Sequence, residues 1–120
     1  WNGDGLALMG KVPAQYVVAR EGGEIWIDYY NIPVGANNPE AAHAWIDFVY
    51  RPRNAALETS YTYYGSALKR SLLKTVLPKS IMNNPIVFPP AATLKKLETN
   101  KVSAKGTRLR ERIWTEFKAA

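Results

Sequence analysis

Proline placement limits the fold of this chain more than any other feature of its sequence. The chain has eight prolines in 120 residues. Each one fixes φ and lacks the N–H that a helix interior or a central strand needs. Pro13 ends a helix that we predict over residues 4–10, with Asp4 as its N-cap. Four further prolines between residues 78 and 90 break the chain into short pieces. The sequence therefore predicts short elements joined by turns, with only a few long helices.

The clearest of these helices follows Asn38. Asn38 is a good N-cap, and Pro39 suits the first helical position because its missing N–H would be unpaired there anyway. Glu40 lies in the first turn, where the helix dipole favours it. The helix closes before Pro52, since the residue preceding a proline avoids the α region. Further helices are predicted over residues 52–61, 68–77, 91–97 and 103–118.

Strand character is confined to residues 15–20 and 24–32, which a Glu-Gly-Gly turn separates. Two strands alone form a thin, marginal sheet even when helices pack on them. The length of the chain suits one small domain, and no apolar run approaches the length of a membrane span. We therefore expect the helices to need more apolar surface than this chain provides.

Charge is unevenly distributed along the sequence. The net charge is +6, but the residues up to Ser66 include four basic and seven acidic side chains, whereas those from Ala67 onward include twelve basic and three acidic. The predicted last helix contains Lys105, Arg108, Arg110 and Arg112. Such a helix could contact phosphates, or it could present a solvated face beside its apolar stripe. Nucleic-acid binding is kept as the alternative function.

Residues typical of catalysis or metal binding are scarce. The single histidine, His43, has no nucleophile and acid at recognisable spacing, and there is no cysteine. Neither the glycines of "WNGDG" nor Lys11 form a phosphate-binding fingerprint. The sequence therefore predicts no enzyme, no metal site and no cofactor.

The stretch "GGEIWIDYYNIP" raises the possibility of a binding surface. Alternation along a strand would place Trp26, Asp28 and Tyr30 on one face, with Glu24. This face could be simply exposed. It could also bind an organic cation, because aromatic faces attract ammonium groups and carboxylates accept their hydrogen bonds. Both interpretations stay open on the residues alone.

Four blocks of the sequence resemble a known family in collinear order. They are "WNGDG", "EGGEIWIDYYNIPVGANNPEAAHAWIDFVYRP", "NNPIVFPPAATLKKLE" and "RIWTEFKA". Together they resemble the C-terminal part of the spermidine/putrescine-binding proteins, the extracytoplasmic solute-binding components of ABC polyamine transporters. The resemblance covers nearly the whole chain, and the block from Glu21 to Pro52 is its most specific part.

The resemblance implies an α/β fold, the C-terminal part of a two-lobed type II periplasmic-binding-protein fold with a ligand cleft between the lobes. Residues 1–26 would belong to the second lobe, residues 27–84 would return to the first lobe, and residues 85–120 would go back to the second. A signal peptide and a first lobe would precede Trp1. The family's ligand-binding positions correspond here to Trp1, Trp26, Asp28, Tyr64 and Asn100.

The resemblance also implies function and partners. The protein would capture a spermidine- or putrescine-like polyamine for import without changing it chemically. Its partners would be that cation, the N-terminal half of the same protein and an ABC transporter permease. It would be periplasmic or extracytoplasmic, and associated with the membrane through the transporter. A different small solute remains an alternative ligand.

Overall fold

The structure is a computed structural model, and it describes residues 1–99 and 102–119. Short helices dominate, and one small parallel sheet joins distant parts of the chain. The elements in chain order are α1 (Asn2–Met9), β1 (Gly23–Glu24), α2 (Pro39–Val49), α3 (Pro52–Thr62), α4 (Arg70–Leu73), α5 (Lys79–Met82), α6 (Ala91–Leu94), β2 (Leu97–Glu98) and α7 (Ala104–Ala119).

The two central helices form as their capping residues predict. The side chain of Asn38 accepts a hydrogen bond of 3.0 Å from the backbone N–H of Ala41, which caps α2. Pro52 begins α3, and Tyr63 ends it in the left-handed conformation at φ 59°. The side chain of Asn54 donates a 2.6 Å hydrogen bond to the carbonyl oxygen of Phe48 and so fixes the corner between α2 and α3.

The strand predictions are largely wrong. Residues 15–20 form no strand; only a bridge between Ala19 and Gly22 is present there. Of the predicted strand 24–32, only Glu24 lies in a strand, because β1 is confined to Gly23–Glu24, which pairs in parallel with Leu97–Glu98. A strand needs a neighbour for its backbone groups, and the described part of the chain provides none beyond this pair.

Three helices differ from their predicted bounds. The helix predicted over 91–97 ends at Leu94, because the next residues pair with β1 instead. The helix predicted over 68–77 contracts to α4, which is followed by turns. Helix α1 begins two residues earlier than predicted, with Trp1 at the N-cap and Asp4 inside the first turn. The last helix forms almost as predicted.

The hydrophobic core is small and lies where α3 meets α4 and α5. Its buried members are Ala55, Ala56, Leu73, Leu77 and Met82. Partly buried apolar side chains surround it: Leu68, Val76, Ile81 and Phe88. The guanidinium of Arg70 donates a 2.7 Å hydrogen bond to the Met82 carbonyl oxygen and lies 5.1 Å from the Phe88 ring centre. This contact closes the core on one side.

Large apolar faces outside this core are uncovered. On α2, Trp45 and Phe48 stack on each other at 5.9 Å yet remain exposed. On α7, the whole predicted stripe is exposed: Leu109, Ile113, Trp114 and Phe117. The radius of gyration is 18.1 Å, against about 14 Å for a compact domain of this length. The described residues include no helix long and apolar enough to cross a membrane.

Truncation of the one fully buried leucine should test whether this core stabilises the chain. Leu73 is 0% exposed, whereas its neighbour Leu72 is 49% exposed. We expect Leu73→Ala to lower the free energy of unfolding by about 2–5 kcal/mol, because it leaves a cavity. Leu72→Ala, the matched control, should lower the free energy of unfolding by clearly less. Urea denaturation measures both, and equal costs would contradict this position of the core.

Candidate functional site

Two tryptophans from distant parts of the chain meet on the surface. Trp1 lies at the N-cap of α1, and Trp26 follows β1 by two residues. Their ring centres are 6.3 Å apart, with the ring planes inclined at 50°. Both side chains are exposed. The two rings therefore form an open aromatic corner instead of filling a core.

A carboxylate lies directly beside this corner. The indole Nε1–H of Trp26 donates a 2.9 Å hydrogen bond to Oδ1 of Asp28. Asp28 is exposed, and it forms no ion pair with any other described residue. Its negative charge is thus held in place by a neutral donor and is available to a cation.

Tyr64 is brought to the same area by the end of α3. The left-handed turn at Tyr63 redirects the chain, and the Tyr64 N–H donates to Oγ1 of Thr62 at 3.3 Å. The Tyr64 hydroxyl donates a 2.7 Å hydrogen bond to Oδ2 of Asp4 on α1. This bond joins residues that are 60 positions apart in the sequence.

The pKa of Tyr64 is affected by two carboxylates, those of Asp4 and Asp28. The pKa of its hydroxyl is raised, chiefly because the neutral hydroxyl donates to Asp4 and then because partial burial disfavours the charged form. The negative charges of Asp4 and Asp28 add to the increase. Asp28 therefore lies close enough to act on Tyr64. We refer to Trp1, Asp4, Trp26, Asp28 and Tyr64 as the aromatic–carboxylate cluster.

The cluster requires the backbone of α1 to lie close to the end of α3. Gly3, in the first turn of α1, is buried against the end of α3. A Cβ at Gly3 would lie 2.5 Å from the carbonyl oxygen of Thr62 and 2.8 Å from the Tyr64 ring. Only a glycine lets α1 come near enough for Asp4 to accept the Tyr64 hydrogen bond.

The structure brings together four of the five residues predicted as ligand-binding. Trp1, Trp26, Asp28 and Tyr64 are neighbours, whereas Asn100 lies outside the described residues. Their role in binding stays a prediction. Sequence reasoning treated Asp4 only as a helix cap, although a helix beginning at Asn2 places Asp4 one turn after Trp1, on the same side.

The residues considered for catalysis are not part of the cluster. His43 is exposed on α2, where the sequence placed it. No group of three or more metal-ligating side chains occurs within residues 1–99 and 102–119. The cluster combines open aromatic faces with carboxylates, and that combination suits an organic ammonium group.

A cluster of this kind has the chemical groups that a binding site for a cationic organic molecule needs. The chain is 31% identical to the spermidine/putrescine-binding periplasmic protein 1 of Haemophilus influenzae, covering all of this chain and 33% of that relative. It is 28% identical to the putrescine-binding periplasmic protein PotF of Escherichia coli, covering 99% of this chain and 32% of that relative. It is 31% identical to the putrescine-binding periplasmic protein SpuD of Pseudomonas aeruginosa, covering 91% of this chain and 29% of that relative.

The chain is thus homologous to a portion of a spermidine/putrescine-binding periplasmic protein, which confirms the resemblance noted in the sequence. It spans about a third of the length of the curated relatives it matches. The named relatives are binding proteins and not enzymes. No family model matches the chain, and no solved structure matches it.

Adding a methyl group at Gly3 should disrupt the contact between α1 and Tyr64. We expect Gly3→Ala to lower the free energy of unfolding by about 1–3 kcal/mol through overpacking, in spite of the better helix propensity of alanine. Gly10→Ala is the matched control, since a Cβ there meets nothing within 4 Å. Urea unfolding followed by tryptophan fluorescence compares the two. A Gly3 variant as stable as the Gly10 variant would contradict the close approach.

Removing the charge of Asp4 should lower the pKa of Tyr64. In Asp4→Asn the anion that disfavours tyrosinate is lost, so the pKa should fall toward the ordinary value of about 10. A spectrophotometric pH titration measures it, with each protein compared with its Tyr64→Phe counterpart. Asp47→Asn, an exposed aspartate on α2, serves as the control. An unchanged titration in Asp4→Asn would contradict the hydrogen bond.

Proposed function

We propose that this chain is part of an extracytoplasmic solute-binding component of an ABC transporter and captures a polyamine for import. The observation that carries the proposal is the Trp26–Asp28 pair beside Trp1: an oriented, exposed carboxylate against two open aromatic faces. The homology to spermidine- and putrescine-binding periplasmic proteins supports it.

The chemistry of recognition follows from the cluster. The methylene groups of a polyamine would lie against the rings of Trp1 and Trp26, and an ammonium group would donate to Asp28. A carboxylate accepts several hydrogen bonds, so Asp28 can keep the Trp26 indole donor while it binds the ligand. Asp4 adds a second carboxylate, which the Tyr64 hydroxyl holds toward the same area.

The remaining parts of the proposal concern the whole protein. In a two-lobed fold, residues 1–26 and 85–120 would belong to one lobe and residues 27–84 to the other, with the ligand cleft between them. The uncovered faces of α2 and α7 are surfaces that the N-terminal half of such a protein would cover. Lobe closure about the ligand would then present a surface to the permease, in the periplasm. Asn100 remains a proposed ligand contact on the resemblance alone.

Nucleic-acid binding by α7 is less well supported. The helix exposes Arg108 and Arg112, but Arg112 lies 3.6 Å from Glu116 in an ion pair. The same helix also exposes the apolar stripe around Trp114, which phosphate contacts would not use. A polyamine, or a different small cationic solute, accounts better for the exposed aromatic–carboxylate cluster.

Titration calorimetry of the full-length protein with spermidine and putrescine tests the proposal. We expect wild type to bind, and Asp28→Asn to bind about 10–100-fold more weakly, because a hydrogen bond to a charged group contributes about 1.5–3 kcal/mol. Asp47→Asn should bind like wild type. Absence of amine binding by wild type, or equal affinities in the two variants, would refute it.

A further inference from the structure

An open cavity lies at the corner between α2 and α3, and none of its lining residues belongs to the aromatic–carboxylate cluster. Its volume is about 510 Å³, which is within the range of about 300–1,000 Å³ that is usual for binding pockets. Six residues line it: Phe48, Arg51, Pro52, Arg53, Asn54 and Val76. Two of the six are arginines and none is acidic. The cavity therefore combines positive charge with apolar walls.

The two arginines have no carboxylate partner in the part of the chain that the structure describes. Both residues are exposed. The guanidinium carbon of Arg51 lies 5.8 Å from the centre of the Phe48 ring, which places this charge over an apolar wall of the cavity. A guanidinium has five N–H donors in a planar fork that matches the geometry of a carboxylate. Arg51 and Arg53 are thus available to an acidic group that enters the cavity.

The corner that carries the arginines is already fixed by contacts within the chain. The Asn54 side chain donates a 2.6 Å hydrogen bond to the carbonyl oxygen of Phe48, and the Arg51 N–H donates to the same oxygen at 3.3 Å. On the opposite wall, Val76 packs as a partly buried side chain against the hydrophobic core. A preformed surface of this kind loses little conformational entropy when a partner binds.

Phe48 joins the cavity to the uncovered apolar face of α2. Its ring stacks on Trp45 at 5.9 Å, and both side chains are exposed. A helix with such a stripe needs another surface to cover it. Any surface that covers Phe48 also removes the neighbouring guanidinium of Arg51 from water, which carries a large desolvation penalty unless a carboxylate pairs with it. The surface that covers this face must therefore be apolar and acidic together.

We propose that the cavity binds an acidic segment of the N-terminal half of the same protein. A carboxylate of this segment pairs with Arg51 and Arg53, and a neighbouring apolar side chain packs on Phe48. The chain covers only 33% of its Haemophilus influenzae relative, so the rest of such a protein is long enough to supply the segment. The inference rests on the proposed function, in which this chain is part of a longer binding protein, and it adds the chemistry of the segment that contacts α2 and α3.

Photo-crosslinking in the full-length protein identifies what occupies the cavity. We place p-benzoylphenylalanine at position 53 in place of Arg53, irradiate the protein and locate the cross-linked peptide by mass spectrometry. The expected partner is a peptide of the N-terminal half in which Asp or Glu is next to an apolar residue. The same group in place of Lys11, an exposed residue after α1, is the control and should not cross-link to that peptide. Cross-links to a different protein, or none to the N-terminal half, would overturn the proposal.

Charge reversal gives an independent measurement. In the full-length protein, we expect Arg53→Glu to lower the urea midpoint of unfolding by about 1 M, because it leaves a buried carboxylate without a partner. Lys11→Glu makes the same change in net charge and should shift the midpoint much less. If Arg53→Glu does not fold, Arg53→Gln and Lys11→Gln provide the same comparison without repulsion between like charges. Equal midpoints in either matched pair would contradict an acidic partner in the cavity.

Putrescine affinity separates this inference from the proposed function. The cavity shares no residue with the aromatic–carboxylate cluster, so Arg53→Gln should keep the affinity within about two-fold of wild type. Amine binding without a cross-link to the N-terminal half would refute the inference and leave the proposed function standing. A cross-link to that half in a protein that binds no amine would refute only the proposed function.

Discussion

The 2.7 Å hydrogen bond from the Tyr64 hydroxyl to Asp4 is the contact on which the arrangement of the candidate site depends. It ties the first helix of the chain to the segment that leaves α3. A second bond, from the Asn2 side chain to the carbonyl oxygen of Ile86 at 2.9 Å, holds α1 from another direction. Between them, Trp1 is kept beside Trp26 without a hydrophobic core beneath it. The absence of a Cβ at Gly3 makes this approach possible.

Much of the apolar surface of the chain lies outside its small core, so single hydrogen bonds hold the candidate site together. The core around Leu73 orders α3, α4 and α5, but it does not extend to α2 or α7. Each exposed aromatic side chain on those helices would contribute about 1.5–3 kcal/mol if it were buried. An α-helix with an apolar stripe is stable in water only where another surface covers that stripe. This distribution agrees with the homology of the chain to one third of a longer binding protein.

The sequence predicted the helices better than the strands, and the reason lies in the range of the interactions. Caps and helix breaks are local: Asn38, Pro39 and Pro52 determine α2 and the start of α3 within a few residues. A strand depends on its partner, and Leu97–Glu98, which pairs with Gly23–Glu24, has no local signal that distinguishes it from the end of a helix. The approach of Trp26 and Asp28 was predicted from strand alternation. They do meet, through a side-chain hydrogen bond, although no strand is present there. Asp4 was missed because its partner, Tyr64, lies 60 residues away.

The electrostatic balance of the chain agrees with a cationic ligand in spite of the net charge of +6. The aromatic–carboxylate cluster draws all its residues from the first 66 positions, where acidic side chains outnumber basic ones by seven to four. A ligand in contact with Asp28 experiences that charge at hydrogen-bond distance. Cations further away than about 8 Å are largely screened at physiological ionic strength. Binding of an amine would therefore be governed by the two carboxylates, Asp4 and Asp28, that α1 and the segment after β1 contribute to the cluster. The excess of lysine and arginine in α4–α7 would chiefly affect the rate at which a cation approaches. Affinity and net charge would therefore be separable in this chain: neutralising exposed lysines should change the rate of association, whereas the equilibrium affinity for an amine would depend on where Asp4 and Asp28 are held.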